Sequence, residues 1–555
     1  MPVPDLFRDG LARGWKTRDG SALSQDLTLE TDIAIIGSGA GGATSAELLS
    51  AAGLRVLLIE EGPLKTSSDF HMLENEAYAS LYQEGIGRLS KDGAITILQG
   101  RAVGGTTLIN WTSSFRTPEP TLHHWASEHG VEGHGVDDLA PWFERMEQRL
   151  GITPWQIPPN PNNDVLRRGC TALGLDWKVI PRNVRGCWNL GYCGMGCPVN
   201  AKQSMLVTSI PATLEHGSEL LYLARAEKLV HDGQKISELH CVAMDPKCVA
   251  PTGRTIRVRA RHYILAGGGI NSPALLLRSA TPDPHQRLGK RTFLHLVNFS
   301  AARFAEPVNP FYGAPQSIYS DHFQWRNGVT GPMGYKLEVP PLHPALAATL
   351  LGGFGTENAL RMQDLPHTHV MLALLRDGFH PDSVGGSVEL RGDGTPVLDY
   401  AVSPYAWDGV RRAFHSMAEI QFAAGADSVL PLHSHARPAK TLAEARRAID
   451  ELVLETFLTR LGSAHVMGGC AMGKDPRQSV CDSLGRHHQL ENLSIHDGSL
   501  FPTSIGANPQ LSVYAISARL SQSLAGRLGQ PLSIVPLADA GDLAPAHRLR
   551  YHPSP

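Results

Sequence analysis

The chain has 555 residues, 42% of them apolar, with 50 Lys and Arg against 53 Asp and Glu for a formal charge of −3. That length calls for more than one lobe around a sizeable core. The near balance of charge, with no long basic tract, excludes a nucleic-acid partner, and no run of 18 uninterrupted apolar residues predicts a membrane span.

The first 20 residues lack the apolar stretch of an export signal. A cytoplasmic location is expected, free or peripheral to the inner membrane. Residues 32–62 read DIAIIGSGAGGATSAELLSAAGLRVLLIEEG. A buried strand over 33–36 runs into Gly37, Ser38, Gly39, Ala40, Gly41 and Gly42. A small-residue helix follows, and a second apolar strand over 55–59 ends in Glu60. This is the Rossmann dinucleotide fingerprint in full context. Gly37 permits the tight turn, Gly39 removes a side chain where backbone meets pyrophosphate, and Gly42 lets the helix lie close to its strand. The helix N-terminus offers N–H groups to the phosphates. Glu60 is placed to accept from ribose hydroxyls. The segment does not choose between NAD and FAD.

The Pro/Asn-rich stretch 154–163 reads as an excursion between lobes. Strands are predicted over 220–230 and 257–266. The second enters AGGGINSP (266–273), the pattern of a sheet strand reaching a ligand face. Between 295 and 455 the pattern changes to scattered His, Pro and aromatic residues. Strands are predicted there over 386–390 and 396–400, and helices over 406–424 and 442–450. The uncharged stretch 339–356 reads as a loop plus a short helix that lines an apolar entrance, packs between lobes or touches a membrane. From 462 to 524 the chain returns to glycine-rich turns, a short strand (493–496) and a helix (511–524).

The eight cysteines are unevenly placed, which favours reduced thiols. Cys187, Cys193 and Cys197 fall within eleven residues, followed by Pro198. This spacing is open to structural thiols or to iron–sulfur ligation; zinc lacks a fourth ligand with paired spacing. No metal site is assigned.

Four segments together resemble the glucose–methanol–choline (GMC) flavin oxidoreductases. They are the fingerprint with Glu60, the stretch GRAVGGTTLIN (100–110), AGGGINSP (266–273), and the C-terminal run with GSAHVMGGCAMG and HDGSLFPTSIGANPQ. The resemblance implies FAD. It implies an α/β fold: a discontinuous Rossmann-type FAD-binding domain (25–118, 200–294 and 456–535) and an antiparallel-sheet-plus-helices substrate domain (295–455). A connecting, Cys-rich insertion (119–199) lies between them. Gly104, Gly105 and Thr106 then approach the pyrophosphate and ring edge, Asn110 lies near the flavin, and Ala226 meets adenine through its backbone. Asp497, Gly498, Asn508 and Pro509 contact the flavin.

The implied reaction oxidises an alcohol CH–OH to aldehyde or ketone. An imidazole suits proton removal because its pKa lies near working pH, and His465 falls at the family's catalytic histidine. Asn508 occupies the partner position. It cannot be a base, so it holds the hydroxyl oxygen. His487, His488 and His496 miss the motif positions and are expected to be solvent-facing or structural. The cysteine stretch followed by Ala201-Lys202-Gln203-Ser204 is similar to the long-chain alcohol branch, so a hydrophobic primary alcohol is the expected substrate. Oxygen, a quinone or a cytochrome are the candidate electron acceptors. Two alternatives stand beside this reading: a sugar or polyol dehydrogenase subunit passing electrons through an Fe–S cluster, and a non-redox FAD-containing lyase of the same fold.

Overall fold

A computed structural model describes residues 3–532; the last three residues of the expected 456–535 segment lie outside them. Two eight-stranded sheets organise the molecule. The first has a parallel centre in the order Lys16–Asp19, Glu219–Tyr222, Val56–Ile59, Leu27–Ile36, Pro251–Leu265. The antiparallel strands Ile236–Met244 and Ala224–His231 extend it, and Leu493–Ile495 pairs with the end of Pro251–Leu265. Residues 33–36 and all of Val56–Ile59 are buried. Both faces are covered, and apolar runs rather than alternation mark the central strands of such a sheet.

The sheet begins earlier than the sequence suggests. Lys16–Asp19 is a short polar edge strand with no apolar period to announce it. The strand predicted over 220–230 is two strands, broken at Leu223, whose φ is +52°. The excursion at 154–163 turns directly into the helix Pro161–Leu173. Its cap is Asn160, whose Oδ1 accepts from Asn163 N–H at 2.8 Å.

The second sheet runs Ile95–Ile97, Leu461–Ser463, Val297–Arg303, Thr368–Leu375, Tyr335–Glu338, Ile318–Ser320, Lys178–Val179, with Ser428–Pro431 also pairing Val297–Arg303. All its pairings are antiparallel except Ile95–Ile97 with Leu461–Ser463. The helix Pro404–Ala423 packs on one face, burying Val410, Ala413, Phe414 and Met417 against Met371, Ala373 and Leu375. Strand residues alternate between faces. The opposite face therefore carries Val297 beside Leu374 beside Lys336, and Phe299 beside Leu372 beside Glu338. That face looks into the space between the two sheets. Among the described residues no helix is long and apolar enough to cross a membrane.

Candidate active site

A cavity of about 950 Å³ lies between the sheets. At one end stand Glu60, Arg225 and Ala226; at the other, His465, Asn508 and the apolar strands of the second sheet. Of the sequence-predicted site residues, Gly37, Ser38, Gly39, Ala40, Gly41, Glu60, Gly105, Thr106, Asn110, Ala226, His465, Asp497, Gly498, Asn508 and Pro509 all line it.

Gly42 and Gly104 do not reach the wall. A Cβ on Gly42 would lie 1.9 Å from the Gly37 carbonyl oxygen, so Gly42 serves helix–strand packing. Gly104 is a turn residue at φ +100°, and its N–H donates to Ser38 Oγ at 2.9 Å. It shapes the loop.

The phosphate end is built by subtraction. Gly37 holds φ +104°, and a Cβ there would lie 2.3 Å from the Ala266 oxygen. Gly39 caps the helix Ala40–Ala51 without a side-chain hydrogen bond, so the first N–H groups remain available. A Cβ on Gly105 would lie 2.8 Å from Gly39 Cα, so the two loops meet backbone to backbone. Arg101 lines the cavity, and its buried Nε has no partner among the described residues. Open helix N–H groups, bare backbone and an orphaned guanidinium donor fit an anionic pyrophosphate.

Glu60 is 7% exposed. Its Oε2 accepts from Ser38 N–H at 3.1 Å and Ser38 Oγ–H at 2.5 Å, and its Oε1 from Gly62 N–H at 2.8 Å. Burial pushes its carboxyl above the usual range while these donors oppose the shift. A carboxylate offers about four lone-pair sites, so room remains for a ribose hydroxyl. Asp497 works likewise. Its Oδ2 accepts from Gly268 N–H at 2.8 Å and Ser272 Oγ–H at 2.5 Å, pinning the turn of AGGGINSP to the C-terminal segment. Asn110 Nδ2 donates to Gln510 Oε1 at 2.7 Å.

The reactive end is built from loops beside the strands Leu461–Ser463 and Val297–Arg303 and from the turn before the helix Gln510–Arg527. His465 follows the strand Leu461–Ser463, and its N–H donates to Ser463 Oγ at 3.1 Å. Behind it stands His295, 1% exposed, which the sequence did not single out. The two Nδ1 atoms lie 3.3 Å apart, and His295 Nε2 accepts from Gly506 N–H at 2.9 Å. That amide leaves the hydrogen of neutral His295 on Nδ1, aimed at His465. His465 therefore accepts at Nδ1 and keeps its own hydrogen on Nε2. Burial first, and the Lys336 charge second, hold His465 down at about 3, so it is neutral at physiological pH. Asn508 is buried between charges: Lys336 Nζ donates to its Oδ1 at 3.2 Å, and its Nδ2 donates to Glu338 Oε2 at 3.2 Å.

His487 and His496 are buried and structural rather than solvent-facing. His487 Nδ1 accepts from two backbone N–H groups, and His496 Nδ1 pairs with Ser45 Oγ at 2.8 Å. All eight cysteines are free. Among the described residues no three His, Cys, Asp or Glu side chains come together to hold a metal. The thiols of the cluster are held singly: Cys193 Sγ accepts from Arg182 at 3.6 Å, Cys197 Sγ from Lys202 N–H at 3.5 Å, and Cys187 Sγ from Asn189 N–H at 3.4 Å.

Comparison with known proteins agrees with this architecture. Two family models described as GMC oxidoreductase match residues 78–297 and 381–517. The chain is 29% identical over 520 residues to the long-chain-alcohol oxidase FAO4B of Arabidopsis thaliana, covering 89% of this chain and 68% of that one. Its fold is similar to a pyridoxine 4-oxidase from Mesorbium loti (TM-score 0.63, 18% identity, 89% of this chain and 99% of that one). It is also similar to a formate oxidase of Aspergillus oryzae (TM-score 0.69, 14% identity, 91% of this chain and 100% of that one). The chain belongs to the GMC oxidoreductase family, and it is an FAD-dependent enzyme acting on CH–OH groups.

Proposed function

We propose that the enzyme oxidises hydrophobic, long-chain primary alcohols, with His465 and Asn508 as its catalytic pair. The observation that carries this reading is the composition of the reactive end: His465 and Asn508 share one cavity with Val297, Phe299, Leu372, Leu374, Leu346 and Leu350. Leu346 and Leu350 come from the short helix Pro344–Leu350, inside the uncharged stretch of the sequence. A polar spot in an apolar wall suits a hydroxyl on an alkyl chain. The long-chain-alcohol oxidase relative points the same way.

FAD, when bound, supplies the acceptor for the hydride equivalent that leaves the alcohol carbon. The chain's own residues position the alcohol and move its proton. Asn508 binds the hydroxyl oxygen and fixes the direction of the reacting C–H bond. His465 removes the hydroxyl proton at Nε2. For this its own hydrogen must sit on Nδ1, and the contact to His295 is given up. A 3.3 Å contact is long for a hydrogen bond, so the exchange costs on the order of 1 kcal/mol. The pKa of about 3 departs from the near-working-pH value expected of an imidazole base: it keeps His465 in the accepting form but makes it a weaker base. In the same reading residues 25–118, 200–294 and 456–535 form the FAD-binding domain and 295–455 the substrate domain.

A series of primary alcohols tests the substrate class. Each methylene the cavity covers is worth about 0.8 kcal/mol, roughly fourfold in kcat/KM. Efficiency should therefore climb steadily from short to long chains. A flat profile, or preference for polyols, would favour the sugar or polyol alternative.

A further inference from the structure

Lys336 and Glu338 are charged residues with almost no exposure, 2% and 0%. They alternate along Tyr335–Glu338, so both side chains leave the same face of the strand. Directly opposite them stand Leu374 and Leu372, which line the apolar part of the cavity. Lys336 Nζ lies 3.1 Å from Glu338 Oε1, 3.0 Å from the centre of the Phe115 ring and 4.4 Å from that of Tyr319. Glu338 Oε1 has no aligned hydrogen bond, so the pair is a charge contact and not a geometric fork. Removing two charges from water is expensive, and a well-packed apolar pair of similar size often does as well for stability. Fold stability alone is therefore a poor explanation for these residues.

Their other contacts supply a better one. Both converge on a single carboxamide: the cation on Asn508 Oδ1 and the anion on Asn508 Nδ2, each at 3.2 Å. An amide is nearly symmetric in shape, so packing barely distinguishes its two ends. Opposite charges distinguish them completely. A flipped Asn508 would put NH₂ against the ammonium and its oxygen against the carboxylate. The clamp also uses one N–H and leaves the second free for the cavity.

We propose that the Lys336–Glu338 ion pair is a positioning device that sets the orientation of Asn508, so that the carboxamide presents a fixed N–H to the alcohol oxygen. This rests on the reading of Asn508 as the oxygen-binding partner of His465. Neither charged residue lines the cavity: Glu338 acts through Asn508, and Lys336 acts through Asn508 and, more weakly, through the field its charge puts on neutral His465.

The test is a mutant cycle on the FAD-loaded protein, measuring the rate of flavin reduction by 1-dodecanol, FAD content and thermal midpoint. Asn508→Ala is expected to slow reduction. The double variant Lys336→Met/Glu338→Leu replaces the pair with apolar residues. It is expected to keep FAD and a near-native thermal midpoint while losing roughly 10- to 10²-fold in rate, the range for a misplaced catalytic group. Combining all three changes should be no slower than Asn508→Ala alone, because the clamp has nothing left to orient. Glu338→Gln keeps an acceptor for Asn508 Nδ2 but leaves Lys336 without its counter-charge. It should lower the thermal midpoint while retaining most of the rate, the reverse of the double variant. A double variant with unchanged rate, losses that simply multiply in the triple variant, or rates that follow thermal midpoint across the set would each overturn the clamp. An unaffected Asn508→Ala would instead overturn the reading of Asn508 itself.

Discussion

Replacing His465 with alanine is expected to leave FAD bound and to slow flavin reduction by alcohol by on the order of 10²-fold or more, the range for losing a general base. The residue sits at the reactive end of the cavity, away from the phosphate-binding loops, so cofactor retention should not suffer. Its pH behaviour gives a second readout. The folded-state pKa is lowered to about 3, so the neutral, proton-accepting form is already present throughout the range above it. Between about pH 5 and 8 the wild-type rate should show no step owed to His465. In that window the variant should be slower by a constant factor. Stopped-flow traces across this range decide the matter. Equal rates in the variant would remove His465 from the reaction.

Changing Gly39 to aspartate is expected to give a folded protein that does not hold FAD. Gly39 has φ −71° and ψ −162°, an ordinary N-cap geometry, and an added Cβ would meet nothing closer than Gly105 Cα at 3.9 Å. The fold therefore has room for the side chain. Aspartate is also a favoured N-cap: its carboxylate would take up the helix N–H groups that now stand open. That is the position a pyrophosphate needs, and the new charge repels it. Like-charge juxtaposition costs several kcal/mol, which at 1.4 kcal/mol per decade means a loss of at least about 10²-fold in FAD affinity. Absorbance of the purified protein and its thermal midpoint separate the two effects. Retention of yellow cofactor at wild-type stoichiometry would show that the loop does not bind the diphosphate.

What the sequence disclosed, and what it hid, follows from the distance over which each feature is encoded. The strand–turn–helix around Gly37–Gly42 is local. Its glycines, its apolar strands and Glu60 all fall within one short stretch, so their roles can be read from spacing. His465 and Asn508 are legible only through a resemblance that spans the chain. His295 gave no signal, because its partners, His465 and the Gly506 amide, come from distant segments. Lys336 and Glu338 went unremarked for a different reason. In the strand YKLE, alternation assigns Tyr335 and Leu337 to a core and sends Lys336 and Glu338 to solvent. Here both faces of the strand are buried: one under the helix Pro404–Ala423, the other against the cavity wall. Period-two patterning reports one buried face and is silent when a sheet is covered on both. Gly104 shows a subtler limit. Its motif position suggested contact with the cofactor, and the structure adds a separate reason for glycine there: a left-handed turn at φ +100°.

The most direct measurement is anaerobic mixing of the FAD-loaded protein with 1-dodecanol while following flavin absorbance. The arrangement of His465 and Asn508 in an apolar cavity predicts full bleaching by dodecanol and none by glucose. A flavin that no alcohol bleaches, or one that glucose bleaches and dodecanol does not, would contradict it.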